Sequence, residues 1–477
     1  MARRFPLLGK TVSLGAVLLL LVIALQAVSG MVEERQGRLR EAEASVAASL
    51  AAAQTVLGPV LTRACTESWE VAQGEGTDKK TVTEQREFML SQAPATLDIE
   101  AEAATQPRYR GIFKVNGYVL KARLAATWND GLGLQLPVRR AGARVQCAAP
   151  VLFVALGDSR GVRSATARLD GSTRTVLAGT LHPAHPRGFH VDVAEAYAGA
   201  ARPLAAQIAL ELVGIGDLAF APVGDSTRVA LASDWPHPSF AGRFLPVERE
   251  VRATGFNARW QLNALATTAP RSVADGGAAC SLGDGDGGAE AVAGQGDARP
   301  RRCVEIFGVA FRDPVSPYVL SDRATKYGLL FIALTFVGVG SIEVLRRLRV
   351  HPIQYLFVGA GLAMFFLLLV SLSEHVAFAF AYLAAATACT ALLTFYGAFV
   401  LGGWHAGALF GAGIATLYGT LYALLQLEQN AMLLGALLLF AVLAAMMVAT
   451  RRIDWYALFE GIRRAGVERE GVEREGK

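Results

Sequence analysis

Charge is thin in this chain. Asp, Glu, Lys and Arg make up 18% of its 477 residues, against 53% hydrophobic ones, and the charges are unevenly spread, which rules out one uniformly hydrophilic chain. The sequence also lacks the short texts that carry common chemistries: no G-x-S-x-G elbow, H-E-x-x-H helix, P-loop or dinucleotide fingerprint appears. Isolated Ser, His and Asp residues do not make a triad without geometry, so the chain reads as a non-enzyme with no cofactor. A basic domain is missing too. The net charge of +5 comes with positive residues that hug the ends of apolar stretches, where orientation and anionic lipid account for them, so no nucleic acid is expected as a partner.

Long hydrophobic runs are absent from the middle of the chain, between Val28 and Lys326, and crowd its two ends. Crossing a bilayer takes about 20 helical residues, because hydrocarbon leaves no other partner for backbone polar groups. Six stretches fit: Thr11 to Val28, Tyr327 to Leu345, Ile353 to Leu372, Val376 to Val400, Ala406 to Leu427 and Ala431 to Thr450. The first, with Arg3, Arg4 and Lys10 before it and Ala27 and Ser29 at its end, reads as a retained anchor; a cleavable signal peptide fits the same residues, and both readings export the long polar segment C-terminal to it.

Arg346, Arg347 and Arg349 fill one connection, and Arg451, Arg452, Arg463 and Arg464 come after the last stretch. The alternate connections, Ser373-Glu374-His375 and Glu428-Gln429-Asn430, hold no Lys or Arg. Positive charge resists translocation, so both termini are expected in the cytoplasm and residues 31–325 outside, in the periplasm of a Gram-negative cell. Four of the five cysteines, Cys65, Cys147, Cys280 and Cys303, fall in that exported segment; three pairings are open to them, and Cys280 with Cys303 is a candidate disulfide closing a loop. Free thiols are the alternative.

The fold expected is an α+β membrane protein: a six-helix transmembrane bundle, one helix N-terminal and five C-terminal, carrying a large β-rich, sandwich-like periplasmic domain. Residues 1–30 hold the N-terminus and first span, and 31–60 read as a helical stalk ended by Gly58-Pro59. Residues 61–325 form the β-rich domain, where from Arg108 onward the period is two: Tyr118, Leu120, Ala122 and Leu124 alternate with Val119, Lys121 and Arg123, and Ile208 to Leu212, Val229 to Leu231 and Phe307 to Phe311 repeat the pattern. Residues 271–302, rich in Gly, Ala and Asp, read as a mobile insertion. The five-helix bundle takes 326–450 and a solvated tail with a tandem Gly-Val-Glu-Arg-Glu takes 451–477.

Gly403, Gly407, Gly411, Ala415 and Gly419 recur every fourth residue, a stripe that lets another helix approach closely. Glu343 lies within reach of Arg346 and Arg347, while Glu374 and His375 sit at the outer mouth of their span. Span centres lack the acids or lysines that proton-coupled transport generally needs, so a transporter or lipid-handling protein is the rival reading. His182, His185 and His190 cluster around two prolines without a supporting Cys or carboxylate; a surface turn is the default, and no metal is assigned. Asp284 and Asp286 lack the remaining ligands of a calcium loop. Trp235, His237, Phe240 and Arg243 lie in Ser233 to Trp260, a text of aromatics, prolines and arginines that reads as a rigid crossing between strands or a partner-binding ridge.

With Gly157-Asp-Ser-Arg-Gly-Val162, Gly214-Ile-Gly-Asp-Leu218, Asp322-Arg-Ala-Thr-Lys-Tyr327, His351-Pro-Ile-Gln-Tyr355, Leu372-Ser-Glu-His375 and Arg452-Ile-Asp-Trp-Tyr456, the Ser233 block resembles the CreD family of inner-membrane, cell envelope integrity proteins over nearly the whole chain. The resemblance implies a two-component-regulated envelope response with effects on colicin or β-lactam tolerance, and no mechanism. The insertion at 271–303 and the repeated tail depart from the family text. Asp322, Arg323 and Lys326 are the candidate junction between domain and bundle. The expected partners are the lipid bilayer and an envelope protein or cell-wall component; oligomeric state is not readable.

Overall fold

A computed structural model of the protein describes residues 6–73, 80–130, 143–194, 202–280, 303–313, 317–346, 350–426 and 431–451, with residues 134, 197, 282 and 348. Helix α1 (Pro6–Ser49) runs unbroken through the first apolar stretch and the Ala-rich segment, since no proline occurs within it after Pro6. The stalk expected over 31–60 therefore ends at Ser49. Gly58 and Pro59 do not stop a helix; they lie inside the first strand, joined by a cis peptide bond. Residues 56–62 are buried throughout, which favours a strand deep in a sheet, and a register shift between Leu57 and Val60 accommodates the proline's missing N–H.

Among the described residues, seventeen strands come after α1. They are β1 (Gln54–Gln73), β2 (Lys80–Gln92), β3 (Thr96–Arg110), β4 (Phe113–Trp128), β5 (Arg144–Cys147), β6 (Val151–Leu156), β7 (Val162–Leu169), β8 (Ser172–Arg174) and β9 (Leu177–Ala178). Then come β10 (Gly188–Asp192), β11 (Leu204–Ile215), β12 (Asp217–Phe220), β13 (Ser226–Ser233), β14 (Ser239–Gly242), β15 (Glu248–Arg252), β16 (Gly255–Asn263) and β17 (Phe307–Ala310). One nine-stranded sheet runs β14-β17-β12-β1-β6-β10-β9, with β2 and β5 also on β1; an eight-stranded sheet runs β15-β16-β13-β3-β4-β11-β7-β8. Both are mixed rather than antiparallel throughout. β1 lies parallel to β12, and β3 parallel to β13, pairs separated by enough chain for the crossover that parallel strands require.

One hydrophobic core draws on both sheets, with Tyr118, Leu120 and Leu124 of β4, Ile208 and Leu210 of β11, and Val56 and Phe153 of the other sheet all nearly inaccessible. Helix α2 (Ala269–Ala274) buries Ser272 and Val273, so the segment read as an insertion from residue 271 begins as ordered helix. Residues 281 and 283–302 of that insertion lie outside the described residues, as does the tail from 452.

The helical part continues with α3 (Pro317–Arg346), α4 (Pro352–Ser373), α5 (Phe378–Val400), α6 (Trp404–Gln426) and α7 (Ala431–Thr450). Among the described residues five helices, α1 and α3 to α6, are long and apolar enough to cross a membrane. The sixth expected span corresponds to α7, a 20-residue helix whose Leu433, Leu437 and Phe440 are exposed. The chain forms two compact units, a helical one of residues 1–38 and 315–477 and a β unit of residues 39–314. In the helical unit, a Cβ on Gly328 would sit 3.0 Å from Leu25, and one on Gly359 would overlap Leu21; these two glycines admit α1 against α3 and α4.

Candidate functional site

The last carbonyls of a helix have no donor within it, and α1 carries no basic residue in its final turn. Arg160 supplies the donors from elsewhere in the β unit: Nη1 donates to Ala48 O at 2.6 Å and Nη2 to Ala47 O at 3.1 Å. A cation at a helix C-terminus also faces the negative end of the macrodipole. Asp158 fixes that guanidinium, accepting from Nε at 3.0 Å and Nη2 at 2.6 Å, and also accepts from the backbone N–H of Ala52 at 3.0 Å and of Arg160 at 3.1 Å. These bonds, led by Arg160, hold the Asp158 carboxyl down to about 2 despite its burial. Gln54 completes the lock, donating to Asp158 O and Val213 O and accepting from the Asp158 N–H. Gly157 and Gly161 leave no space for a Cβ, so the text Gly-Asp-Ser-Arg-Gly has a packing or bonding reason at both glycines, the Asp and the Arg.

Two polar nodes mark the ends of the helical unit. Lys10 of α1 pairs with Glu343 of α3, which also accepts from Tyr355 Oη at 2.9 Å and the Val350 N–H at 3.3 Å. Sequence proximity favours Arg346 and Arg347 as partners of Glu343; their side chains lie outside the described residues, and the fold adds Lys10 as a partner distant in the chain. Arg35 of α1 pairs with Glu374 at 3.1 Å, and His375 beside it is exposed. Lys10 and Arg35 are separated by about 37 Å along α1 at 1.5 Å per residue, more than the thickness of about 30 Å of a hydrocarbon core. His351 caps α4 in a reciprocal box: its Nδ1 accepts from the Ile353 N–H at 3.3 Å, while Gln354 Oε1 accepts from the His351 N–H at 2.9 Å.

The remaining sequence candidates fall in several places. Asp322 and Lys326 form a 2.7 Å pair one turn apart on α3, with Arg323 between them. Trp235 is 7% exposed, meets Phe311 edge-on and donates to His237 O at 2.7 Å; Phe240 meets Phe256 and Trp260 edge-on. These aromatics face the core, leaving His237 and Arg243 exposed, with Arg243 at 3.8 Å from Glu305. Within the glycine stripe, a Cβ on Gly407 would lie 2.6 Å from Ala398 and one on Gly411 would overlap Thr394, whereas Gly403 and Gly419 have nothing within 4 Å and Ala415 is exposed. Close packing thus uses the middle of the stripe, against α5.

His182, His185 and His190 do not lie on a surface turn. All three are buried, and Phe153 lies against the first two, because the segment folds back onto β6 and β10. Burial pushes both His182 and His185 down, His185 to about 4. Disulfides join Cys65 to Cys147 and Cys280 to Cys303. The first links directly opposed residues of β1 and β5, separated by 82 positions, and only the strand register reveals it. The roles of Asp158, Arg160, Lys10 and Arg35 escaped sequence reasoning for the same reason: their partners are distant in the chain. The one signal was a charged Asp and Arg between two glycines.

A bundle of apolar helices bearing a two-sheet unit, with its most connected polar residues assigned to fixing a helix end, defines an integral membrane protein with a large extramembrane domain. The CreD family model, described as inner membrane protein CreD, matches residues 6–456, and the chain belongs to that family. It is 33% identical over 453 residues to the inner membrane protein CreD of Escherichia coli (strain K12), covering 95% of this chain and 94% of that one. Among solved structures, the M1 zinc metallopeptidase of Deinococcus radiodurans aligns at 11% identity and a TM-score of 0.20, over 35% of this chain and 38% of its own. A point mutant of that peptidase aligns at 12% identity and the same TM-score over the same shares. At such scores neither likeness bears on fold or function.

Proposed function

We propose that the protein maintains the integrity of the cell envelope without catalysing a reaction, by contacts of its β unit with another envelope protein or a cell-wall component. In this reading six helices span the inner membrane, α7 being the sixth, and both termini are cytoplasmic. Residues 31–325 are periplasmic, and the activity belongs to a two-component-regulated stress response. Two disulfides in the β unit support an oxidising compartment, and the arginines of 346–349 support a cytoplasmic connection between α3 and α4.

The observation that carries the proposal is the lock on α1. Its C-terminus is gripped by Arg160 and Asp158, so force applied to the β unit through a partner loads the anchor helix directly rather than a slack linker. Asp322, Arg323 and Lys326 serve the second connection. Arg160→Ala and Arg323→Ala should each lower β-lactam or colicin tolerance of cells at unchanged protein level. Wild-type tolerance in both variants would remove the coupling, and periplasmic crosslinking with mass spectrometry would then be the direct search for a partner.

A further inference from the structure

A pocket of about 390 Å³ lies in the β unit where β1 and the end of β6 meet the segment before β10, with Leu57, Leu156, Ala184, His185, Arg187 and Cys280 among its lining residues. That volume falls in the range of about 300–1,000 Å³ typical of ligand sites. The walls are tied down: the Leu156 N–H donates to Arg187 O and the Gly157 N–H to Thr55 O, both at 3.0 Å, while Cys280 is bonded to Cys303 and donates its N–H to Val304 O at 3.0 Å. We propose that this pocket binds a ligand ending in a carboxylate on a short aliphatic body. On the envelope reading above, which this assignment presupposes, that ligand is the part of the partner held by the β unit.

Charge and spare donors set the class of ligand. The exposed Arg187 guanidinium donates once, from Nη1 to Gly157 O at 3.2 Å, and among the described residues it meets no carboxylate. Its Nε and Nη2 are left for the two oxygens of a carboxylate, the paired geometry that guanidinium favours. His185 offers a further donor. It is 7% exposed, and among the described residues neither ring nitrogen has a hydrogen-bond partner; Nε2 is enclosed, whereas Nδ1 keeps accessible surface. A buried polar group left unbonded by its own chain calls for an outside partner. No acid lines the pocket, so one negative charge is admitted, and a single arginine does not match the double charge of a phosphate. Besides Thr55, the other lining residues are Leu, Ala, Pro, Gly and the bonded Cys280, which suit aliphatic carbon and offer no side-chain donors or acceptors to the hydroxyls of a sugar.

The test is calorimetric titration of the full chain in nanodiscs with N-acetyl-alanyl-alanine, with 3-methylbutanoate and with the amide of each. At least one acid should bind, at least fivefold more tightly than its own amide. A preference for the dipeptide assigns the carboxylate to a peptide terminus, and a preference for 3-methylbutanoate assigns it to a free acid. Arg187→Gln, an exposed change that should leave the melting temperature alone, should weaken binding at least fivefold, and so should Ala279→Trp, which adds an indole to the wall. A smaller loss in either variant, a smaller gap between acid and amide, or no binding of either acid would overturn the site. The titrations read the pocket without reference to tolerance, so their failure leaves the experiment on Arg160 and Arg323 standing.

Discussion

Asp158 is 6% exposed and keeps its charge because Arg160 and two backbone N–H groups surround it. Its native carboxyl titrates near 2, below the unfolded value, so it contributes stability at and above about pH 4 that is lost as pH falls toward 2. Arg160→Ala removes the donors to α1 and leaves the Asp158 carboxylate with its two backbone N–H bonds alone, so the thermal or denaturant unfolding midpoint of the full chain should fall. Asp158→Asn should flatten the acid limb below pH 4; unchanged curves would show that the carboxylate is not held as described. His185 acts at milder pH. It is neutral in the fold and titrates near 4, so its contribution is full above about 6.5 and falls as pH drops from 6.5 to 4, by at most roughly 3 kcal/mol. Compared with His185→Phe, the wild type should lose more stability between pH 7 and 4. Parallel pH curves would dismiss the buried neutral imidazole.

At the scale of elements, the glycine stripe separates packing from spacing. Gly411→Leu must displace Thr394 and should lower the melting temperature in detergent, by the equivalent of about 1–3 kcal/mol for overpacking, whereas Gly403→Leu should leave it unchanged. Equal melting temperatures would mean that the helices do not touch there. Sequence periodicity made the middle of the sheets legible, because β4 and β11 each bury one face and expose the other, so Tyr118 to Leu124 and Ile208 to Leu212 alternate cleanly. β1 was hidden by the opposite circumstance. Its first half is buried on both faces, which erases the alternation, and its Gly58-Pro59 looks like a helix stop when read without the neighbouring strands. The lock on α1 was illegible because Arg160 meets carbonyls 112 and 113 positions away, and residue spacing carries no record of such a meeting.

For the whole molecule, the proposed orientation rests on the arginine-rich connection and the disulfides. Lys10 and Glu343 join α1 to α3 near the arginine-rich connection, Arg35 and Glu374 join α1 to the far end of α4, and both disulfides fall in the β unit. The proposed assignment puts the arginines in the cytoplasm and the cysteine pairs in the periplasm. The native thiols give little background for a labelling test, since Cys389 is buried and the other four are bonded. A cysteine introduced at Ala200 should therefore react with a membrane-impermeant maleimide in intact spheroplasts, while one introduced at Arg463 should react only after lysis. Labelling at Arg463 without lysis, with Ala200 protected, would invert the orientation. The β unit would then face the cytoplasm, where neither disulfide would persist and no cell-wall component could be reached.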